Sequence, residues 1–158
     1  MLFRSVGTST RVAVASPAYL ATRGEPQTPM DLVAHNCLVY SNPIIGPRWS
    51  YQSTQGQETI SVSGSFASNS AEVIREACLC GLGIALMPDW LFREDLASGR
   101  LRRILLAVPA DGLPMYVIYG SRKFLPSKMR VVIDFLLEVL GQDFAADAPA
   151  KRSTISVK

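Results

Sequence analysis

The stretch from Phe66 to Asp89 restricts the fold more than any other part of this 158-residue chain. Ile60, Val62 and Phe66 alternate with small or polar residues at period two, the pattern of a strand with one wetter face. Asn69 is then placed to cap a helix, with Glu72 three residues on reaching back to it as in a capping box. Val73, Ile74, Ala77 and Cys78 supply the helix's apolar face. Gly81 suits the left-handed residue that ends a helix, and Gly83 permits a close turn before the apolar run Ile84 to Met87, which Pro88 closes. Strand, crossover helix and buried strand form a βαβ unit, whose ligand-facing edge lies at the carboxyl ends of its strands. Ser68, Asn69 and Ser70 fall at that edge.

The same residues carry a family resemblance. A helix headed by Asn and Ser, the Gly81-Leu82-Gly83-Ile84-Ala85-Leu86-Met87-Pro88-Asp89 turn and strand, and a later Gly99-Arg100-Leu101 resemble the effector-binding domain of LysR-type transcriptional regulators. Upstream, Ala15-Ser16-Pro17, Tyr19-Leu20, Gly24, Pro26, Pro29, Asp31-Leu32, His35 and Cys37-Leu38 are similar to the segment such domains carry just after crossing between their two subdomains. The resemblance runs from about Arg11 to Leu140. It implies an α/β fold like that of type 2 periplasmic binding proteins, with a mixed, mostly parallel sheet and helices on both faces. It also implies effector contacts at the helix that Asn69 heads, so Ser68, Asn69 and Ser70 are the candidate effector-binding residues.

On this reading residues 1–10 are the end of a first subdomain or a hinge, 11–126 the effector-binding subdomain, 127–141 a C-terminal helix and 142–158 a disordered tail. The family's winged helix-turn-helix, linker helix and most of its first subdomain are not in this sequence. DNA contact is therefore expected only through an N-terminal domain of the parent protein. No recognition helix with basic and amide side chains for a major groove is present either.

Composition sets the outer bounds. Hydrophobic residues at 48% and charged residues at 18% describe a globular chain with a sizeable core. A net charge of +3 is too small to argue for nucleic acid, and the cluster Arg100, Arg102, Arg103 reads as solvated surface. Three cysteines without a disulfide-framework spacing, and no leader or membrane-length apolar run, point to the cytoplasm and away from membranes.

Along the rest of the chain, Arg11 to Ala15 reads as a strand. Ser16 and Pro17 open a short helix that Gly24 ends, and Thr28-Pro29 with Asp31 opens another. Leu38 to Tyr40 is a strand, and Trp49 to Tyr51 and Glu58 to Val62 form a hairpin around Thr54-Gln55-Gly56. Asp89 is expected to cap a helix to about Leu96. Leu101 to Leu106 and Met115 to Tyr119 read as strands, with Pro109 to Pro114 a turn. Ser127 caps the longest helix, ending at Gly141. There Arg130, Asp134 and Glu138 form a single polar stripe, so this helix needs apolar partners on several sides, and a homo-oligomer is expected.

Catalytic and metal chemistry find little support. The single histidine, His35, rules out a His-rich metal site, leaves little room for a Ser-His-Asp triad and reads as a structural hydrogen-bonding residue. Cys78 and Cys80 diverge on a helix, which argues against a metal pair, and both read as buried small residues. Gly81-Leu82-Gly83 follows a helix and precedes a strand, the reverse of a dinucleotide loop. Asp89, Glu94 and Asp95 read as solvated charge near a helix start. The chain is expected to be a non-enzymatic effector-sensing domain, with no cofactor and a small, anionic metabolite as ligand. A solute-binding module without a transcriptional role is the alternative.

Overall fold

The computed structural model describes residues 2–41, 46–53, 56–120 and 126–145. The chain divides into two compact units, residues 11–111 and residues 1–10 with 112–158. Residues 112–126 thus group with the N-terminal ten residues and not with the larger unit.

The larger unit is built on a five-stranded sheet. Its strands are β2 (Arg11–Ala15), β3 (Cys37–Tyr40), β6 (Ala67–Ser68), β7 (Ile84–Pro88) and β8 (Arg102–Ile104), in the order β6-β3-β7-β2-β8. β3 runs parallel to both β6 and β7, while β2 is antiparallel to β7 and β8. The sheet is mixed, as expected, with its parallel half at β6-β3-β7. The βαβ unit is there, though its two strands are not neighbours, because β3 lies between them. Its first strand is also shorter than the alternation implied. Ile60 and Ser61 belong to β5 (Gly56–Ser61), which pairs with β4 (Arg48–Ser53) as the expected hairpin, and only Ala67 and Ser68 join the sheet. The hairpin tip at 54–55 lies outside the described residues.

Alternating side chains divide the core between the two faces of this sheet. Ala13, Ala15, Cys37, Ile84 and Leu86 point to one face, where they meet Tyr19 and Leu20 of α1 (Pro17–Arg23), Leu32 of the 3-10 helix Pro29–Ala34, and Trp49, Tyr51 and Ile60 of the hairpin. Val14, Leu38, Ala85 and Met87 point to the other, against Ile74 and Cys78 of α2 (Ala71–Leu79) and Phe92, which lies in a 3-10 helix (Asp89–Phe92) leading into α3 (Arg93–Ala97). A strand buried on both faces must be apolar at nearly every position, which is why β7 reads as an unbroken apolar run.

α1 starts as expected, with the Ser16 hydroxyl accepting from Tyr19 N–H at 3.2 Å and Pro17 at the first position. The segment at Asp89 differs. Pro88, not Asp89, occupies the cap position, without a side-chain cap. β8 covers only the middle of the predicted strand, since Leu105 turns the backbone to a φ of 56°.

Two expectations about surface charge and thiols are overturned, and a third, the solvated arginine cluster, holds. Asp95 is fully buried, its carboxylate held by Arg75 Nε at 2.5 Å, Arg75 Nη2 at 2.8 Å and Arg100 Nη2 at 2.6 Å. The arginine cluster is ion-paired, with Arg100 on Asp95, Arg102 on Glu25 at 3.2 Å and Arg103 near Asp89 at 3.9 Å. Of the cysteine pair, Cys78 is buried but Cys80 is exposed, because residues two apart on a helix face different directions.

In the smaller unit β1 (Leu2–Ser9), a strand the sequence did not announce, pairs antiparallel with β9 (Leu113–Tyr119). α4 (Ser127–Ala145) lies against them, four residues longer than expected. It buries Ile133 but leaves Val131, Val132 and Phe135 more than half exposed. The helix thus takes over residues 142–145 of the predicted tail, and 146–158 lie outside the described residues.

Burial pushes the Cys37 and Cys78 thiols up to about 12 and raises Tyr51 as well. A thiol in the unfolded chain ionises near pH 8.5. The stabilisation from keeping these groups neutral is therefore complete below that pH and is lost as pH rises towards the folded values. Urea unfolding of the chain should show stability falling above about pH 8.5, by up to about 1.4 kcal/mol per pH unit for each thiol. The slope should lessen in Cys78→Ala, and equal slopes in the two proteins would contradict the assignment.

Candidate functional site

The α2 entrance stands at the carboxyl edge of β6. Ser68 is paired in register with Tyr40 of β3, and its carbonyl accepts from Ser41 N–H at 2.8 Å, which fixes where the chain turns into the helix. The Ser68 hydroxyl then accepts from Ser70 N–H at 3.1 Å.

The cap is Ser70 and not Asn69. Ser70 has the extended backbone of a cap residue, φ −102° and ψ 124°, and its hydroxyl oxygen accepts from Val73 N–H at 3.4 Å. Ile74 N–H bonds to the Ser70 carbonyl at 3.2 Å, closing the first turn. Glu72 does not reach back to Asn69 either. Its carboxylate accepts instead from the Ser70 hydroxyl at 3.2 Å. Asn69 is exposed and forms no hydrogen bond with another described residue. The N–H groups of Ala71 and Glu72 precede the first intrahelical acceptor, so they point outward at the positive end of the helix.

The three predicted residues are therefore together at one edge but not equivalent. Ser68 and Ser70 hold backbone, while Asn69 is left free. A ligand oxygen at this entrance could accept from the Asn69 amide and from two backbone N–H groups, beside a carboxylate, Glu72, that complements the same helix end.

A second polar cluster was not foreseen. Asn36, just before β3, donates from Nδ2 to Leu82 O at 2.6 Å and to Ser65 Oγ at 3.1 Å, and accepts from Ser65 N–H at Oδ1 at 2.7 Å. Its own N–H donates to the Tyr19 hydroxyl at 3.0 Å, and its carbonyl accepts from Ile84 N–H at 2.9 Å. His35 joins through Nδ1, 3.1 Å from the Tyr19 hydroxyl, which is the structural role expected of it. Nothing in the spacing of Tyr19, Asn36, Ser65 and Leu82 announces this hub.

A mixed sheet with helices on both faces is the architecture of one lobe of the type 2 periplasmic-binding-protein class. The family model described as LysR substrate binding domain matches residues 1–141, and the chain belongs to that family. It is 37% identical over 131 residues to the HTH-type transcriptional regulator CrgA of Neisseria meningitidis serogroup C, a match covering 82% of this chain and 44% of that protein. Among solved structures, full-length CrgA of Neisseria meningitidis is 35% identical with a TM-score of 0.75, over 89% of this chain and 48% of that one. The Vibrio cholerae virulence activator AphB is 32% identical, also at 0.75, over 87% and 47%. The chain thus spans about half the length of the regulators it matches.

Proposed function

We propose that this chain is the effector-sensing part of a LysR-type transcriptional regulator. It binds a small, oxygen-rich and preferentially anionic metabolite at the α2 entrance, and occupancy modulates DNA binding by a helix-turn-helix domain of the parent protein. The observation that carries this reading is the division of labour at the entrance. Ser70 caps the helix, Ser68 holds Ser70, and Asn69 with the N–H groups of Ala71 and Glu72 is left to a ligand. The family supports the rest, since its named relatives are transcriptional regulators and not enzymes. The parent is accordingly a cytoplasmic homo-oligomer that meets DNA only through its N-terminal domain, without a cofactor and without a membrane.

Substitutions separate binding from capping. Ser70→Ala should cost about 1 kcal/mol, the usual loss of a cap, whereas Asn69→Ala and Asn69→Asp should leave the melting temperature within the scatter of the measurement. In the full-length regulator, Asn69→Asp should abolish the reporter response to a carboxylate effector, because it puts negative charge where the anion sits. An intact response in Asn69→Asp ends the anion-site proposal.

A further inference from the structure

We infer that the opposite edge of the sheet, at the amino ends of β3 and β7, carries a second small-molecule site, one that takes a short carboxylate with an apolar stub. A cavity of about 600 Å³ lies there, lined by Tyr19, Thr22 and Arg23 of α1, by Asn36 and Ser65, and by the Gly81-Leu82 turn. That volume is in the range of small-molecule pockets. The α2 entrance belongs to the carboxyl edge of the same strands, so the two sites share no residue.

The walls are fixed before any ligand arrives. The Asn36 hub ties the Ser65 segment, the Leu82 turn and the Tyr19 hydroxyl to one another, and a site whose walls are already held loses little entropy on binding. The hub also decides what the cavity offers. Both Asn36 amide hydrogens are used, on Leu82 O and Ser65 Oγ, and its oxygen takes Ser65 N–H. Because Ser65 Oγ accepts from Asn36, its own hydrogen remains to be donated. Thr22 has spent its hydrogen on the carbonyls of Ala18 and Tyr19.

Arg23 is the one charged side chain in the lining, and it forms no ion pair or hydrogen bond with another described residue. A guanidinium fork and a serine hydroxyl match the two oxygens of a carboxylate. Leu82, 42% exposed in its turn, supplies apolar surface beside them. Charge and apolar surface side by side select an amphipathic acid over a bare inorganic anion.

Saturation-transfer difference NMR on the 158-residue chain tests this and works whatever the state of assembly. Butyrate should give a saturable signal, strongest at its methyl end, and butyramide and inorganic phosphate should compete with it at least about tenfold more weakly. Arg23→Gln should weaken butyrate binding by about tenfold and Ser65→Ala by less. Arg48→Gln, an exposed arginine elsewhere, should leave it unchanged. No saturable signal from the native chain, equal competition by butyramide, an unaltered signal in Arg23→Gln, or loss of the signal in Arg48→Gln would each overturn the site.

Discussion

Asp95→Ala is expected to destabilise the larger unit by about 3–5 kcal/mol, the cost of breaking a buried ion pair from one side. The carboxylate has no exposed surface, and Arg75 grips it with two nitrogens from α2 while Arg100 adds a third from beyond α3. Removing the carboxylate strips Arg75, whose side chain is 22% exposed, of the partner that offsets its desolvation. Asp95→Asn should recover little, since the amide turns NH₂ hydrogens towards guanidinium hydrogens. Arg100→Ala should cost much less than either, because that side chain is 54% exposed and water can replace it. Salt separates this pair from the surface ones. Screening at 1 M salt should leave the Asp95→Ala difference nearly intact, while the exposed Arg102 and Glu25 pair should contribute under about 1 kcal/mol and fade. Urea unfolding at low and high salt measures both. A loss of less than about 1 kcal/mol for Asp95→Ala would mean that the triad is not formed in solution.

What could be read from the sequence was whatever depends on neighbours in the chain. Ser16-Pro17 predicts the start of α1 because a cap and a fixed φ act locally, and Gly81 predicts the end of α2 for the same reason. The unbroken apolar run at β7 predicts a doubly covered strand, and the structure places α1 and the hairpin on one side and α2 on the other. Failures came where partners are distant in sequence. Asp95 looked like surface charge because the arginine that buries it is twenty residues away, and no helical period links them. β1 was missed because its partner β9 lies more than a hundred residues on and supplies the register that its own sequence does not. At the α2 entrance the capping role was shifted by one residue, from Asn69 to Ser70. Asn69 and Ser70 are both good caps, and pairing of Ser68 with Tyr40, a tertiary contact, decided which of them took the position.

Gly83→Ala is the second large effect, and a comparison with Gly99→Ala isolates its cause. An added Cβ at Gly83 would lie 2.2 Å from the Asn36 carbonyl oxygen and 3.1 Å from its carbon. That oxygen is already the acceptor for Ile84 N–H, the bond that starts β7 alongside β3. No side-chain rotation relieves a clash with backbone, so the turn must move, stretching the Ile84 bond and disturbing the Leu82 carbonyl that Asn36 holds at 2.6 Å. The cost is expected to be about 3 kcal/mol, at the upper end for overpacking, and the Tyr19, Asn36 and Ser65 network should loosen with it. Gly99 has a left-handed φ of 74° and nothing within 4 Å of an added Cβ. Its alanine variant meets only the conformational penalty, about 1 kcal/mol. Urea midpoints of the two variants, with amide exchange at Ile84 and Leu38, decide between the mechanisms. Equal losses would show that backbone conformation dominates at both glycines, and faster exchange at Ile84 in Gly83→Ala alone would place the damage at the β3–β7 junction.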